Sequence, residues 1–513
     1  MNLLVVPILV PLVAAGLCLL LRDRLQTQRV IGGVALHSLL GISGYLLLTS
    51  LGGEVRALSI GGWEDSYGIT FAVDTFSAIM LTISAFSSTA AWWFIVLGAA
   101  NESDQHRFIH PLYLFLVSGV NWAFTTADIF NLFVSFELIL LASYGLIIHG
   151  NREAPLREGT KYVVLNVIVG MFFLAAAGLI YGAFGTLNMA ELAILVRETE
   201  QLVLAICLGS LLLVVFATKA ASFPLFFWMP DAYPRAPIGV VPFFSAILTK
   251  GGVYALYRTF TMTFNIHVED WFQPLLLTLG GLSMIVGVLG ALSQWTFRRI
   301  LAFHSISQIG YMIFALGMLS PLALAGGIFY IIHHAVIKST LFMTGGTVVL
   351  RLNTDYIKAN QGLLHRFPFF STLFLLAALS LAGLPPFSGF YCKYALVVAA
   401  IDQQRYFLLA VAIITGLLTL ASMVKIWMYT FWGAKDESAP AEKGVIHRVV
   451  FAVAGWSAIG LLLAVLSGPV MSVAAEAGEQ LSNPTAYIDA VLGEKAGARF
   501  EAAAYISPVE AKE

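Results

Sequence analysis

Long apolar runs follow one another along almost the whole chain, and this succession limits the possible fold more than any single motif does. A helix needs about 20 apolar residues to cross about 30 Å of hydrocarbon. Runs of that length lie at 3–21, 30–51, 74–98, 109–126, 129–149, 162–185, 202–228, 237–260, 272–293, 299–318, 322–350, 368–400, 406–432 and 447–473. We therefore predict an all-α polytopic membrane protein with about fourteen transmembrane helices.

The composition excludes several other classes of protein. Only 11% of the 513 residues are charged, whereas a soluble protein carries about 25%. A formal net charge of -1 provides no overall field that would attract nucleic acid. The three cysteines lie apart in apolar stretches, without the spacing of a metal site, so we predict no metal and no cofactor.

Basic residues gather in every second loop. These loops contain Arg22, Arg24, Arg29, Arg107, Arg152, Arg157, Arg235, Arg298, Arg299, Arg351, Lys358, Arg366, Lys435, Lys443 and Arg448. The intervening loops contain Glu54, Glu64, Asp65, Glu191, Glu198, Glu200, Glu269 and Asp270. Because cytoplasmic loops carry an excess of Lys and Arg, an even number of helices predicts that both termini lie outside a bacterial cytoplasmic membrane.

Two of the predicted helices contain proline breaks beside a lysine. Helix 7 is interrupted around Pro224, after Lys219, and helix 12 is interrupted at Pro385 and Pro386, before Lys393. Interrupted helices about five spans apart indicate two inverted five-helix repeats. We divide the chain into helices 1–3 (1–108), repeats with helices 4–8 (109–260) and 9–13 (261–433), helix 14 (434–473) and a polar tail (474–513), which we expect outside the membrane and partly disordered.

A few ionisable residues remain inside the apolar spans: Glu137, Lys219, Lys250, His333, His334, Lys338, Lys393 and Lys425. A charge at mid-membrane costs at least about 2.5–3.5 kcal/mol, so such side chains face the interior of a bundle and a partner. Glu137 is predicted to pair with a buried lysine, most plausibly Lys219; the alternative is a carboxylate that fastens two helices together. For Lys219, Lys250 and Lys393 the alternative is a side chain that extends to the membrane surface.

His334 and Lys338 are four residues apart and share one helix face, whereas His333 points about 100° away. A neutral imidazole both accepts and donates a proton near neutral pH, so this group predicts a proton relay. Paired histidines also occur as metal ligands, but no third ligand stands at a suitable spacing.

Other ionisable residues lie near the ends of spans. Lys425 is next to an aromatic belt, where a role inside the bundle and extension to the surface are equally plausible. His304 follows two arginines, and we expect it at the membrane interface. Asp74 and Asp128 each precede an apolar span, and we expect them to cap helices.

No sequence motif of a covalent enzyme is present: there is no P-loop, HExxH or GxSxG. Together with the interrupted helices, this predicts a transporter rather than an enzyme. The buried acid, lysines and histidines form a candidate axis along which protons could cross the membrane in steps.

Several segments resemble the signature of the antiporter-like subunits of respiratory complex I and of Mrp-type Na+/H+ antiporters. They are 218–225, 228–237, 248–254, 299–311, 334–338 and 383–393, and together they extend over roughly helices four to thirteen. The likeness is greatest to the D-type subunits of Mrp antiporters. Phe226 or Phe227, and Tyr233, stand where complex I relatives commonly carry histidines, and Lys393 stands where one complex I paralogue has a glutamate.

The resemblance implies roles for the buried residues. By this likeness Glu137 pairs with Lys219, Lys250 is the central lysine, His334 and Lys338 form the connecting relay, and Lys393 ends the second half-channel. Gln308 stands where some relatives have a titrating histidine. The implied partners are other Mrp subunits and the lipid bilayer, with H+ and Na+ as the transported ions and no nucleic acid. Two alternatives remain: a proton-pumping subunit of complex I or of a related membrane hydrogenase, and a structural scaffold with inert ion pairs.

Overall fold

The computed structural model describes residues 3–61, 68–99, 108–149, 153–264, 271–359, 362–433 and 445–503. Helices α1 to α8 are Val6–Leu20, Leu25–Ser50, Thr75–Phe94, Ile109–Thr125, Ile129–Ile147, Glu153–Phe184, Met189–Glu198 and Leu202–Ala220. Helices α9 to α15 are Thr249–Arg258, Gln273–Ser293, Phe297–Met318, Pro321–Leu352, Pro368–Ala382, Ser388–Asp402 and Tyr406–Ile426. Helices α16 to α19 are Val445–Val465, Ser467–Ser482, Thr485–Leu492 and Ala496–Ala503. Strands β1 and β2 are Arg56–Ile60 and Ile69–Val73.

Eleven helices in the described part of the chain are long and apolar enough to cross a membrane. Three of the fourteen predicted spans are not among them. The span at 109–126 is the 17-residue α4, that at 237–260 is divided by a π-helical turn at Phe244–Leu248, and that at 368–400 is α13 and α14. The prediction of an all-α polytopic membrane protein is confirmed, while the number fourteen and the two five-helix repeats stay predictions.

Both predicted breaks are present. α8 ends at Ala220, and the carbonyl of Thr218 near its end accepts a hydrogen bond of 3.0 Å from the indole of Trp228. α13 ends at Ala382, followed by Gly383 with φ +90°, and Lys393 donates to the carbonyls of its last two residues. The breaks therefore free backbone carbonyls that find protein donors and not lipid, as a membrane interior requires.

Several loops meet at one end of the bundle. Arg299 forms an ion pair of 3.1 Å with Asp231, and Arg298 forms one of 3.3 Å with Asp355. We call this the basic end. Several loop charges used for the orientation prediction, namely Glu64, Asp65, Arg107, Arg152, Glu269, Asp270, Lys435 and Lys443, lie outside the described residues.

A small hairpin lies at the opposite end, which we call the hairpin end. β1 pairs antiparallel with β2, from Arg56 opposite Val73 to Ile60 opposite Ile69. The hairpin is fastened to the bundle because the amide of Ala127 donates to the Thr70 carbonyl at 2.9 Å. These strands were not predicted from the sequence, because they are only five residues long and lie between long apolar helices.

The C-terminal segment is folded as far as it is described. α16 ends at Val465 and α17 runs from Ser467 to Ser482, with Leu466 alone between them. Gly478 lies so close to α12 that a Cβ there would come within 2.9 Å of the Ala325 amide. The expectation of partial disorder is therefore wrong for 474–503, because the small residues of α17 allow it to pack on α12; residues 504–513 lie outside the described chain.

The last helix is fastened to α7 at the hairpin end. Arg499 forms an ion pair of 2.5 Å with Glu198. Arg197 donates to the Phe500 carbonyl at 3.2 Å, and its guanidinium lies 3.4 Å from the centre of the Phe500 ring. Burial lowers the pKa of Arg197 to about 10, so the guanidinium remains a cation at neutral pH.

Candidate functional site

Glu137 lies on α5 and faces α6. Its Oε1 atom is buried without a hydrogen-bond partner among the described residues. The carboxylate fits against Gly170, where a Cβ would come within 2.6 Å of Oε1. Any larger residue at position 170 would therefore displace the Glu137 carboxylate.

Lys219 reaches the same face of α6. Its ammonium donates to Oδ1 of Asn166 at 3.3 Å and lies 5.7 Å from the centre of the Phe136 ring. Asn166 and Gly170 are four residues apart, so the amide and the Glu137 carboxylate are neighbours on one helix face. The Glu137 charge acts on Lys219, but Asn166, which was not predicted from the sequence, provides the direct hydrogen bond.

Lys250 is completely buried beside the first break. Its ammonium donates to the carbonyl of Ser245, which lies in the π-helical turn before α9. Wider helical turns of this kind free a carbonyl for such a contact and are frequent at functional sites. At Gly252 a Cβ would come within 2.3 Å of the Ala220 amide, so this glycine allows α9 to approach the end of α8.

His334 and Lys338 lie at the centre of α12. Both ring nitrogens of His334 and the ammonium of Lys338 are buried and have no hydrogen-bond partner among the described residues. His334 is affected by the charges of Lys250 and Lys338. Buried polar groups without a protein partner are rare in folded proteins, so each of them requires a structural or functional explanation.

His333 faces a different part of the bundle. Its Nδ1 atom is 2.9 Å from the hydroxyl of Ser388, at the start of α14. The Tyr330 ring meets the His333 ring edge to face at 5.8 Å. His333 therefore lies on the side of α12 that faces the second break, as its 100° offset from His334 predicts.

Lys393 extends to the second break. Its ammonium donates to the carbonyls of Leu381 at 3.2 Å and Ala382 at 2.8 Å, and it lies 5.0 Å from the centre of the Tyr311 ring. Lys393, Ala382 and Tyr311 line a cavity of about 190 Å³. Lys219 lies before the first break in the sequence, whereas Lys393 lies after the second break.

Lys425 interacts with the end of α10 at the basic end. Its ammonium donates to the carbonyls of Leu292 and Gln294 at 2.7 Å each, and it lies 4.9 Å from the centre of the Trp295 ring. A cation at a helix C-terminus stabilises the partial negative charge there. Lys425 therefore packs inside the protein and is not merely directed to the membrane surface.

The structure confirms two caps and corrects one expectation. Asp74 accepts from the Ser77 amide at 2.9 Å, and Asp128 accepts from the Asn131 amide at 2.6 Å, so both cap helices as predicted.

His304 was expected at the interface, but it is completely buried. It lies about two turns, or roughly 10 Å, from the start of α11, a helix that packs against α12.

An ion pair at the hairpin end was not predicted from the sequence. Arg258 donates to both carboxylate oxygens of Asp74 at 2.8 Å, and both side chains are buried. The signal was an arginine eight residues after Lys250, inside an apolar span, together with an aspartate at the start of another span. The pairing could not be recognised from the sequence, because the two residues are 184 positions apart.

The buried groups form a series of side chains that can each carry a proton. Within the described ranges no group of three or more His, Cys, Asp or Glu side chains could hold a metal ion. The carboxylate, the lysines and the imidazoles instead follow one another from α5 through α8, α9 and α12 to α14. Each of these groups can gain or lose a proton, and neighbouring charges change each other's affinity for it.

A helical membrane bundle with two broken helices and an internal axis of titratable groups belongs to the class of ion-translocating transporters. The sequence profile described as "NADH:quinone oxidoreductase/Mrp antiporter, TM" matches residues 126–419. The chain belongs to this family, and it is a transporter subunit rather than an enzyme.

Curated relatives and solved structures agree with this assignment. The chain is 39% identical to the D-type Na(+)/H(+) antiporter subunit of Alkalihalophilus pseudofirmus, over 96% of this chain and 100% of that relative. It is 35% identical to the D-type Na(+)/H(+) antiporter subunit of Bacillus subtilis, again over 96% and 100%. A chain of the Mrp complex from Dietzia superposes with a TM-score of 0.89 at 29% identity, over 96% of this chain and 100% of that one.

Related folds occur in redox complexes. A chain of an archaeal membrane-bound sulfane sulfur reductase superposes with a TM-score of 0.87 at 26% identity, over 96% of this chain and 100% of that one. A chain of respiratory complex I from Thermus thermophilus superposes with a TM-score of 0.80 at 22% identity, over 94% and 100%. The latter likeness concerns the fold alone.

Proposed function

We propose that this chain is the proton-translocating subunit of a multisubunit Mrp-type Na+/H+ antiporter in the bacterial cell membrane. The observation that carries the proposal is the buried series Glu137, Lys219, Lys250, His334 with Lys338, and Lys393. The D-type Mrp relatives and the Dietzia complex support the antiporter reading over a redox-linked one. Other subunits of the assembly are its partners.

The local geometry suggests how the first half of the axis works. Lys219 is held by a neutral amide of Asn166 and is influenced by the nearby Glu137 charge. Movement of the ammonium towards the carboxylate would stabilise the proton on Lys219, and movement away would favour its release to the next group. Separation and approach of this pair would thus switch the direction in which a proton leaves.

The second half receives the proton through the centre of the bundle. Lys250 and Lys338 both act electrostatically on His334, so a proton that arrives on one lysine disfavours a charge on its neighbours. Lys393, beside its cavity at the second break, ends the series. His333, hydrogen-bonded to Ser388, lies between the central pair and this break.

Proton movement of this kind has an adequate driving force. One charge that crosses 100 mV gains about 2.3 kcal/mol. We assign inward proton movement to this chain and Na+ efflux to the whole complex. The basic end faces the cytoplasm in this proposal. We place the Na+ path in another subunit or at an interface with one.

The test is Na+-induced proton movement, followed with a pH-sensitive dye in everted vesicles that contain the whole set of subunits. Lys219→Ala should abolish the signal while the complex still assembles. Lys161→Ala, which changes an exposed lysine on the helix that carries Asn166, should leave the signal within about twofold of the unchanged complex, since exposed charges contribute little. A normal signal from assembled Lys219→Ala complex would refute the proposed axis.

The runner-up is a proton pump that a redox partner drives, as in complex I or a membrane hydrogenase. It is favoured by the family profile, whose description names both kinds of complex, and by the fold shared with redox complexes. It predicts proton movement that requires an electron donor and does not respond to Na+, so the same vesicles distinguish the two functions. A structural scaffold predicts that antiport survives when Glu137 and Lys219 are neutralised together.

A further inference from the structure

We propose that His304 is a further proton-carrying residue, which connects the central His334–Lys338 pair with Lys425 at the basic end. This inference rests on the proposed function and adds a branch to the path. The residues that the branch joins lie on three helices, α11, α12 and α15.

The packing of α11 against α12 places His304 opposite the central pair. The two helices are antiparallel, joined by Leu319 and Ser320, and the Tyr311 and Tyr330 rings stack at 5.3 Å. Tyr330 also donates to the Gln308 side chain, one turn nearer the start of α11. One more turn in the same direction reaches His304 on α11, while the matching step along α12 reaches His334 and then Lys338.

His304 has the burial and the unpaired nitrogens of a relay group. It is completely buried, and neither ring nitrogen has a hydrogen-bond partner among the described residues. A histidine kept only for packing would be expected to satisfy at least one nitrogen, because a buried polar atom without a partner costs about 1–3 kcal/mol. The imidazole is therefore free to accept a proton on one nitrogen and to release it from the other.

Among the described residues, the charged groups that act on His304 are all bases. Lys338, Lys393 and Lys425 act on it electrostatically, and His304 in turn acts on His334. Because like charges repel, such a cluster holds fewer protons than it has sites, and a proton on one member drives protons from the others. His304 is thus suited to pass a proton on quickly and not to store it.

Lys425 gives this branch an outlet. The ammonium is partly buried and donates to carbonyls at the end of α10, next to the loop that begins with Gln294. The axis through Lys393 leads to the second break instead. Lys393 and Lys425 both act electrostatically on His304, so a proton that His304 receives from Lys338 would pass either to the break or to the basic end.

The test compares His304→Gln with His110→Gln in the everted-vesicle assay, on complexes shown to be assembled. His110 is also buried in the membrane part and also has an unpartnered Nε2 atom, but it lies at the start of α4, away from the axis. We expect His304→Gln to lower the rate of Na+-induced proton movement at least about tenfold, the equivalent of 1.4 kcal/mol in the barrier. His110→Gln should stay within about twofold.

A second measurement separates proton transfer from packing. His304→Ala leaves a space of the size of an imidazole ring, and added imidazole should restore part of the lost rate. Thiazole, a ring of equal size that is not protonated near neutral pH, should restore none. Equal rescue by both rings, or no rescue of an assembled complex by either, would assign His304 to packing and overturn the proposal.

The remaining outcomes are also decisive. A rate within twofold of the unchanged complex for assembled His304→Gln overturns the proposal while leaving the function intact, provided that Lys219→Ala is inactive. Full activity of Lys219→Ala refutes the proposed function itself. Failure of both His304 variants to assemble, while His110→Gln assembles, shows a folding role and equally overturns the relay.

Discussion

Arg258 and Asp74 form a buried ion pair with two hydrogen bonds of 2.8 Å that joins α9 to the first residue before α3. The ring of Tyr487, from the C-terminal segment, lies 4.8 Å from the guanidinium. The hydroxyl of Ser77 accepts a further hydrogen bond of 3.2 Å from Arg258. The pair thus connects three distant parts of the chain at the hairpin end.

Removal of one member of this pair should destabilise the protein strongly. Asp74→Asn keeps an acceptor for the Ser77 amide but leaves the Arg258 guanidinium buried and unpaired, which costs about 3–5 kcal/mol. The thermal midpoint of the purified complex should fall, and less assembled complex should be recovered. The double variant Asp74→Asn, Arg258→Met should recover part of the loss, because it removes the unpaired charge.

An exposed ion pair provides the matched control. Arg299 and Asp231 are about half exposed, and a surface pair contributes about 0–1 kcal/mol. Arg299→Met should therefore change the midpoint little. A midpoint for Asp74→Asn as high as that for Arg299→Met would show that the buried pair does not fasten the hairpin end.

Gly170→Ala should impair antiport without changing any charge. The added Cβ would come within 2.6 Å of Oε1 of Glu137, so the carboxylate must move away from the face that holds Asn166. We expect at least a tenfold lower rate in the dye assay, since a barrier change of about 1.4 kcal/mol is enough for that factor. Gly178→Ala on the same helix, where a Cβ meets nothing within 4 Å, should remain active; equal rates for the two variants would contradict the assigned position of Glu137.

Asn166→Ala should weaken the control of Lys219. The lost hydrogen bond to a charged group is worth about 1.5–3 kcal/mol, which corresponds to a rate about 10- to 100-fold lower if the bond acts in the slow step. Asn121→Ala, which removes another buried amide hydrogen-bonded to Ser84 and to the Pro7 carbonyl, is the control in the same vesicles. Should both amides prove equally dispensable for antiport, Asn166 would be a packing residue only.

Tyr487→Ala should lower the thermal midpoint of the complex more than Tyr487→Phe does. The ring faces Arg258, and such a cation–π contact is worth about 0.5–2 kcal/mol when it is desolvated. Phenylalanine keeps the ring, whereas alanine removes it. Identical midpoints for the two variants would indicate that the hydroxyl, and not the ring, holds the tail in place.

The sequence predicted those features that depend on local chemistry. The two breaks follow from proline and glycine, and the caps at Asp74 and Asp128 follow from acidic residues before apolar spans. The residues of the axis were identifiable because a charged side chain inside an apolar span is energetically costly and normally has a partner or a function there. The structure places them on neighbouring helices, although their roles stay predictions.

Features that depend on distant contacts were missed or wrong. Arg258 finds its partner 184 residues away, a distance that no local pattern encodes. His304 was expected at the interface because Arg298 and Arg299 precede it. An α-helix rises about 1.5 Å with each residue, so the five residues from Arg299 to His304 carry the imidazole away from the end of the helix and into the bundle. The tail was expected to be partly disordered because of its polar composition, yet Gly478 packs against α12 and Arg499 forms an ion pair with Glu198 of α7.

The order in which the chain is synthesised gives the folded tail one more consequence. Gly52, Arg197 and Arg258 are synthesised long before Glu476, Tyr487 and Phe500, the residues of the C-terminal segment that contact them. The hairpin end can therefore close only after the chain has been synthesised as far as Phe500. Until then the Arg258 guanidinium lacks the Tyr487 ring that lies over it.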